Sequence, residues 1–67
     1  MNYGGNLENV RKNAGYSQEK LAELLGVTRS YVNQMERGRK EITLRNAVLI
    51  AEICNCTLAE VAGIKTA

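Results

Sequence analysis

Apolar residues recur along this chain at intervals of three and four, the spacing of one face of a helix. Leu7 and Val10 open the pattern, Leu21 and Leu25 continue it, and Val32 with Met35 follow. A denser set, Ala47, Val48, Ile50, Ala51 and Cys54, comes next, and Leu58 with Val61 ends it. No run of four to eight residues alternates apolar and polar as a strand would. Short polar residues and glycines punctuate the periodic stretches. Asn6, Ser17, Thr28, Thr43 and Thr57 each stand where an N-cap is needed. Gly15, Gly26, Gly38, Asn55 and Gly63 stand where a left-handed stop is needed. The spacing predicts an all-α chain of five short helices, with the second over Gln18–Leu25, the third over Arg29–Arg37 and the fourth over Leu44–Cys54. Thr57 and Glu60 fit a reciprocal capping box for the fifth, Leu58–Ala62.

Helices this short do not persist alone, so a shared core must hold them. Its expected members are Leu7, Val10, Ala14, Leu21, Ala22, Leu25, Val27, Val32, Met35, Ile42, Leu44, Ala47, Val48, Ile50, Ala51, Cys54, Cys56, Leu58 and Val61. The chain of 67 residues is read as one domain, ordered over about 6–63 with frayed ends. A core of that size stabilises weakly, which invites help from a partner subunit. With no histidine and two cysteines, a four-ligand zinc site and a metal cofactor are not expected. No leader or membrane-spanning stretch is read, so a cytoplasmic protein is expected.

The segment QEKLAELLGVTRSYVNQMER carries the most specific signal. Leu21 and Leu25 lie one turn apart with small Ala22 between them, Gly26 turns the chain, and Val27 plugs the corner. Val32 and Met35 anchor the next helix to the same core. This is the pattern of a helix-turn-helix at helices 2 and 3. Charge sharpens it. The net charge is only +2, but residues 29–45 hold Arg29, Arg37, Arg39, Lys40 and Arg45 against Glu36 and Glu41. A polyanion would meet its positive charge there.

Residues 7–61 resemble the Cro/C1-type helix-turn-helix family, also called XRE or lambda-repressor-like. The resemblance rests on Arg11, GYSQEKLAELLGV (15–27), TRSYVNQMERGRK (28–40), Thr43-Leu44 and Ile50-Ala51. It departs at Glu41-Ile42, where the family often has proline, and at Cys54-Asn55, where it usually has leucine-glycine. The resemblance implies a five-helix fold whose third helix lies in the major groove of double-stranded DNA. It also implies an ion pair between Arg11 and Glu36, and a phosphate contact from Gln18.

With Val32 and Met35 inward, helical geometry turns Ser30, Gln34 and Arg37 outward, with Asn33 and Tyr31 on the flanks. Arg29 stands at the N-terminal tip, the part of a recognition helix that reaches base edges. Arg29, Ser30, Tyr31, Asn33 and Gln34 are therefore the expected base readers; a guanidinium suits guanine and a carboxamide suits adenine. Gln18, Thr28, Arg37, Arg39 and Lys40 are the expected phosphate contacts, with Arg45 a weaker candidate. Cys54 and Cys56 are read as small apolar residues, since a bridge between cysteines two apart is strained.

Leu49 and Ile53, surplus apolar residues four apart on the fourth helix, are expected to form a homodimer interface, joined by Ile64 and Tyr3. The expected function is a dimeric transcriptional regulator of repressor or controller type on a palindromic operator. It would be no enzyme, with no cofactor and no evident small-molecule ligand. The rival reading is an antitoxin or protein-interaction adaptor built on the same scaffold.

Overall fold

A computed structural model of the chain describes residues 2–64; the frayed C-terminus expected at 65–67 lies outside them. Five helices follow in order: α1 (Leu7–Asn13), α2 (Gln18–Leu25), α3 (Arg29–Glu36), α4 (Leu44–Ile53) and α5 (Leu58–Ala62). No strand occurs among the described residues. α3 and α4 each end one residue short of the expected position, with Arg37 and Cys54 as their C-caps.

Local chemistry sets the helix starts. The Ser17 hydroxyl accepts from Lys20 N–H at 3.0 Å, Thr28 from Tyr31 at 3.0 Å, and Thr43 from Asn46 at 3.2 Å. Thr57 accepts from Glu60 N–H at 3.1 Å; the return half of the expected capping box is not formed among the described residues. Each of these bonds satisfies a donor that the helix itself cannot. Gly26 stops α2 at φ +74°, where a side chain would be strained, and sends Val27 N–H back to Ala22 O at 3.0 Å. Asn55 makes the stop after α4 at φ 54°, the one left-handed non-glycine among the described residues.

Asn6 corrects the capping expectation for α1. It occupies the N-cap position but its side chain accepts from no helix N–H. Its Oδ1 instead accepts from the Asn9 side chain at 2.8 Å, and its Nδ2 donates to Glu60 O at 3.0 Å. Its N–H donates to Val61 O at 3.0 Å. The Asn9 side chain takes the oxygen that a local cap would use, while the Asn6 Nδ2 and N–H tie the start of α1 to the end of α5.

The core contains Leu7, Leu21, Val32, Met35, Ile42, Ile50 and Val61, all fully buried, with Val10, Ala22, Ala47 and Ala51 filling between them. Ala22 has the small side chain that lets α3 cross α2 closely. Ala14, Leu25, Val27, Cys54 and Cys56, expected inside, are half-buried at its margin.

The expected orientation of α4 needs correction. Ala47, Ile50 and Ala51 point inward. Val48 stands about 110° from the mean of that direction and is exposed, as are Leu44 and Leu49. Ile53 is half-buried and packs against the core, so it is no free partner for Leu49. Tyr3 likewise packs on the core and does not extend an outer patch. Leu58, in the first turn of α5, is exposed, and Val61 is the buried residue of that helix.

Candidate nucleic-acid interface

α2 and α3 form a corner whose inside is Leu21, Ala22, Val32 and Met35 and whose outside is polar. Val32 and Met35 fix the rotation of α3. Arg29, Ser30 and Arg37 are consequently exposed, while Tyr31, Asn33 and Gln34 are half-buried. Gln18, Arg29, Ser30, Asn33 and Arg37 line a shallow polar cleft across the corner. Arg39 and Lys40 are exposed just beyond the end of α3.

A bonded network lies beneath this surface. Arg11 Nε donates to Glu36 Oε2 at 2.6 Å, and Nη2 donates to Oε1 at 3.2 Å. Arg11 Nη1 donates to Tyr16 O at 2.8 Å. Its hydrogen bond to Glu36 raises the Arg11 pKa above the ordinary guanidinium value; burial opposes this, and the Glu36 charge reinforces it. Gln18 Nε2 donates to Glu36 Oε1 at 3.0 Å and to Asn33 Oδ1 at 3.3 Å. Asn33 Oδ1 also accepts from Arg37 Nε at 3.3 Å. Three helices are thus tied at one point, and the acid that would repel a polyanion is neutralised from behind.

The network sorts the candidate contacts. Arg29 and Ser30 make no side-chain bond among the described residues, so their donors remain available. Asn33 spends its oxygen internally and leaves its amide N–H groups outward-capable donors. Thr28 spends its oxygen on the α3 cap. Gln18 spends its amide N–H groups on Glu36 and Asn33, so a donor to phosphate at that position is better sought in the unpaired backbone amides of the first α2 turn. Tyr31 packs its ring on the core. That Gln18 and Arg37 both donate to Asn33 is not foreseen from the sequence. Spacing within α3 hints at Asn33 with Arg37, four apart, but nothing local announces the link to α2.

Cys54 and Cys56 are free thiols whose pKa values burial pushes up, keeping them protonated at neutral pH. Among the described residues no group of three or more acidic, thiol or imidazole side chains could hold a metal ion. No described helix is long and apolar enough to cross a membrane.

Comparison with known proteins agrees with this geometry. The controller protein C.AhdI of Aeromonas hydrophila, a restriction-modification controller of known structure, superposes with a TM-score of 0.77 at 37% identity, over 88% of this chain and 86% of that one. The clp gene regulator ClgR of C. glutamicum superposes at 0.78 with 28% identity, over 96% of this chain and 88% of that one. Control protein C.SmaI of Serratia marcescens is 32% identical over 53 residues, which are 79% of this chain. The chain spans 63% of C.SmaI and 17% of a longer Thermococcus kodakarensis relative that is 41% identical over 54 residues. The helix-turn-helix family model matches residues 7–61, from the first residue of α1 to the buried Val61 of α5. With that match covering the first four helices whole and α5 to its last residue but one, the chain belongs to the Cro/C1-type helix-turn-helix family.

Proposed function

We propose that this protein is a sequence-specific DNA-binding transcriptional regulator of the repressor or controller type, acting in the cytoplasm without a cofactor. The observation that carries the reading is the outer face of α3. Unengaged donors of Arg29, Ser30 and Asn33 stand on a helix locked in place by Arg11 and Glu36, with Arg39 and Lys40 flanking it. Placed in a major groove, Arg29 meets base edges first, and Ser30, Asn33 and Gln34 follow; Tyr31 reaches a thymine methyl or a phosphate from the flank. Arg37, Arg39, Lys40, Thr28 and the start of α2 at Gln18 meet the backbone. The relatives named as controllers and gene regulators support the same role. Three cationic phosphate contacts per protomer, from Arg37, Arg39 and Lys40, would make log Kd change by about 3 per tenfold change in salt. Titration of a duplex selected from a random pool, at several salt concentrations, tests this; binding that is absent or insensitive to salt overturns it.

The protein is further read as a homodimer, because one recognition helix reads few base pairs and two would read half-sites about 34 Å apart. The exposed apolar residues Leu44, Val48 and Leu49 of α4, with Leu58 and Ile64, are the surface that supports this reading. Leu49→Glu and Val48→Glu are each expected to give a monomer in sedimentation equilibrium. A mass equal to that of the wild type in both would reject this surface.

A further inference from the structure

Residues 2–4 lie against the segment that leaves the recognition helix. Asn2 Oδ1 accepts from two backbone N–H groups, those of Gly4 and Ile42, each at 3.1 Å. Tyr3 N–H donates to Ile42 O at 2.9 Å. Both main-chain polar groups of Ile42 are therefore bonded by the start of the chain. The Ile42 side chain is fully buried, and Gly4 presses on it. A methyl group on Gly4 would overlap the end of that side chain and fall 2.9 Å from its Cβ, which cannot rotate away. Nothing but glycine allows the strap to lie this close.

The consequence falls on the basic loop. At its near end, Gln34 O accepts from Arg39 N–H at 2.9 Å and from Lys40 N–H at 3.3 Å. At its far end, Ile42 is fixed by the strap. Arg39 and Lys40 thus project from a short span anchored on both sides. A span fixed before binding loses less backbone entropy when it engages a ligand, and it holds its charges at a set distance from α3.

We propose that Asn2 is a positioning residue: through Ile42 it holds Arg39 and Lys40 where they meet the DNA backbone. The proposal rests on the reading of this chain as a DNA-binding regulator. Without the Asn2 side chain, Ile42 N–H loses its acceptor and the loop gains freedom. The lost contacts are to phosphate, so every DNA sequence is affected alike.

The test uses the full chain, the selected duplex and an unrelated duplex. Amide hydrogen exchange is read without DNA, and affinity is read across salt concentrations. Asn2→Ala is expected to speed exchange at Ile42 while Leu21 and Val32 exchange as in the wild type. It is expected to weaken binding to both duplexes about three- to tenfold and to lower the salt slope by about one. Asn2→Asp, which keeps an oxygen in place, is expected to retain the Ile42 protection. Gly4→Ala, which pushes the strap off Ile42, is expected to reproduce the losses of Asn2→Ala. Asn2→Ala with unchanged Ile42 exchange overturns the anchoring. Faster exchange with wild-type affinity and slope overturns the positioning role. A wild-type protein that binds no duplex instead overturns the DNA-binding reading, a result the exchange data keep separate from the state of the strap.

Discussion

Arg11→Ala is expected to destabilise the protein at neutral pH by about 3–5 kcal/mol. The Arg11 side chain is 10% exposed and that of Glu36 is 4% exposed, so neither end of the pair is solvated. Truncation removes two donors from the Glu36 carboxylate and leaves it Gln18 alone. It also strips the donor from Tyr16 O. A buried charge left this way costs far more than the intact pair contributes. A domain of this length is stable by roughly 3–10 kcal/mol, so the loss takes up much or all of that margin. Thermal unfolding followed by circular dichroism checks it. Glu36→Gln, which leaves a neutral acceptor for Arg11, should cost less than Arg11→Ala. Replacing both partners by apolar residues, as in Arg11→Met with Glu36→Leu, should recover most of the loss. A cost below about 1 kcal/mol for Arg11→Ala would mean that water screens the pair. The sign with pH follows from the raised Arg11 pKa. The contribution of a basic group held this way is present below its unfolded pKa and is lost only as pH rises through the folded value, beyond the ordinary guanidinium range. The pair therefore brings no stability change across neutral and mildly alkaline pH through Arg11.

What the sequence made legible was what depends on neighbours in the chain. Ser17, Thr28, Thr43 and Thr57 cap their helices because the hydroxyl and the N–H it accepts from are three residues apart. Gly26 turns the α2–α3 corner because only the backbone there decides. What stayed hidden depends on distant partners. Asn6 has the residue type and place of a cap, yet its Nδ2 reaches Glu60 O in α5 and its oxygen turns to the Asn9 side chain. Asn2 and Gly4 look like the start of a tail, and only the fold shows that Ile42 completes them. α4 misled for another reason. Seven of its ten residues are apolar, so several arcs of the helix fit a core equally well. Packing of Ala47, Ile50 and Ala51 chooses among them and leaves Leu44, Val48 and Leu49 outside. At the interface, helical geometry sufficed to turn Arg29 and Ser30 outward. It did not show that Gln18 and Asn33 are already engaged, because those bonds cross between helices.

The same distinction between engaged and free donors sets the second large effect. Arg29→Ala is expected to weaken binding to the selected site by about 1–3 kcal/mol, roughly 5- to 150-fold, and to relax preference at one or two base pairs. Arg29 begins α3, is exposed, and makes no side-chain bond among the described residues. Its removal therefore breaks nothing in the free protein, and its thermal stability should stay within about 0.5 kcal/mol of the wild type. The whole loss then appears in binding, and its dependence on sequence identifies its source. A guanidinium donating two bonds to guanine discriminates among bases; a cation beside a phosphate does not. Lys40→Ala supplies the contrast, because Lys40 lies past the end of α3 on the anchored loop. It should weaken all duplexes alike and lower the salt slope by about one. Binding measured on the selected site and on its single-base variants separates the two. An Arg29→Ala loss that is equal on every variant and comes with a smaller salt slope would move Arg29 from base reading to the phosphate backbone. The reading of specificity would then pass to Ser30, Asn33 and Gln34.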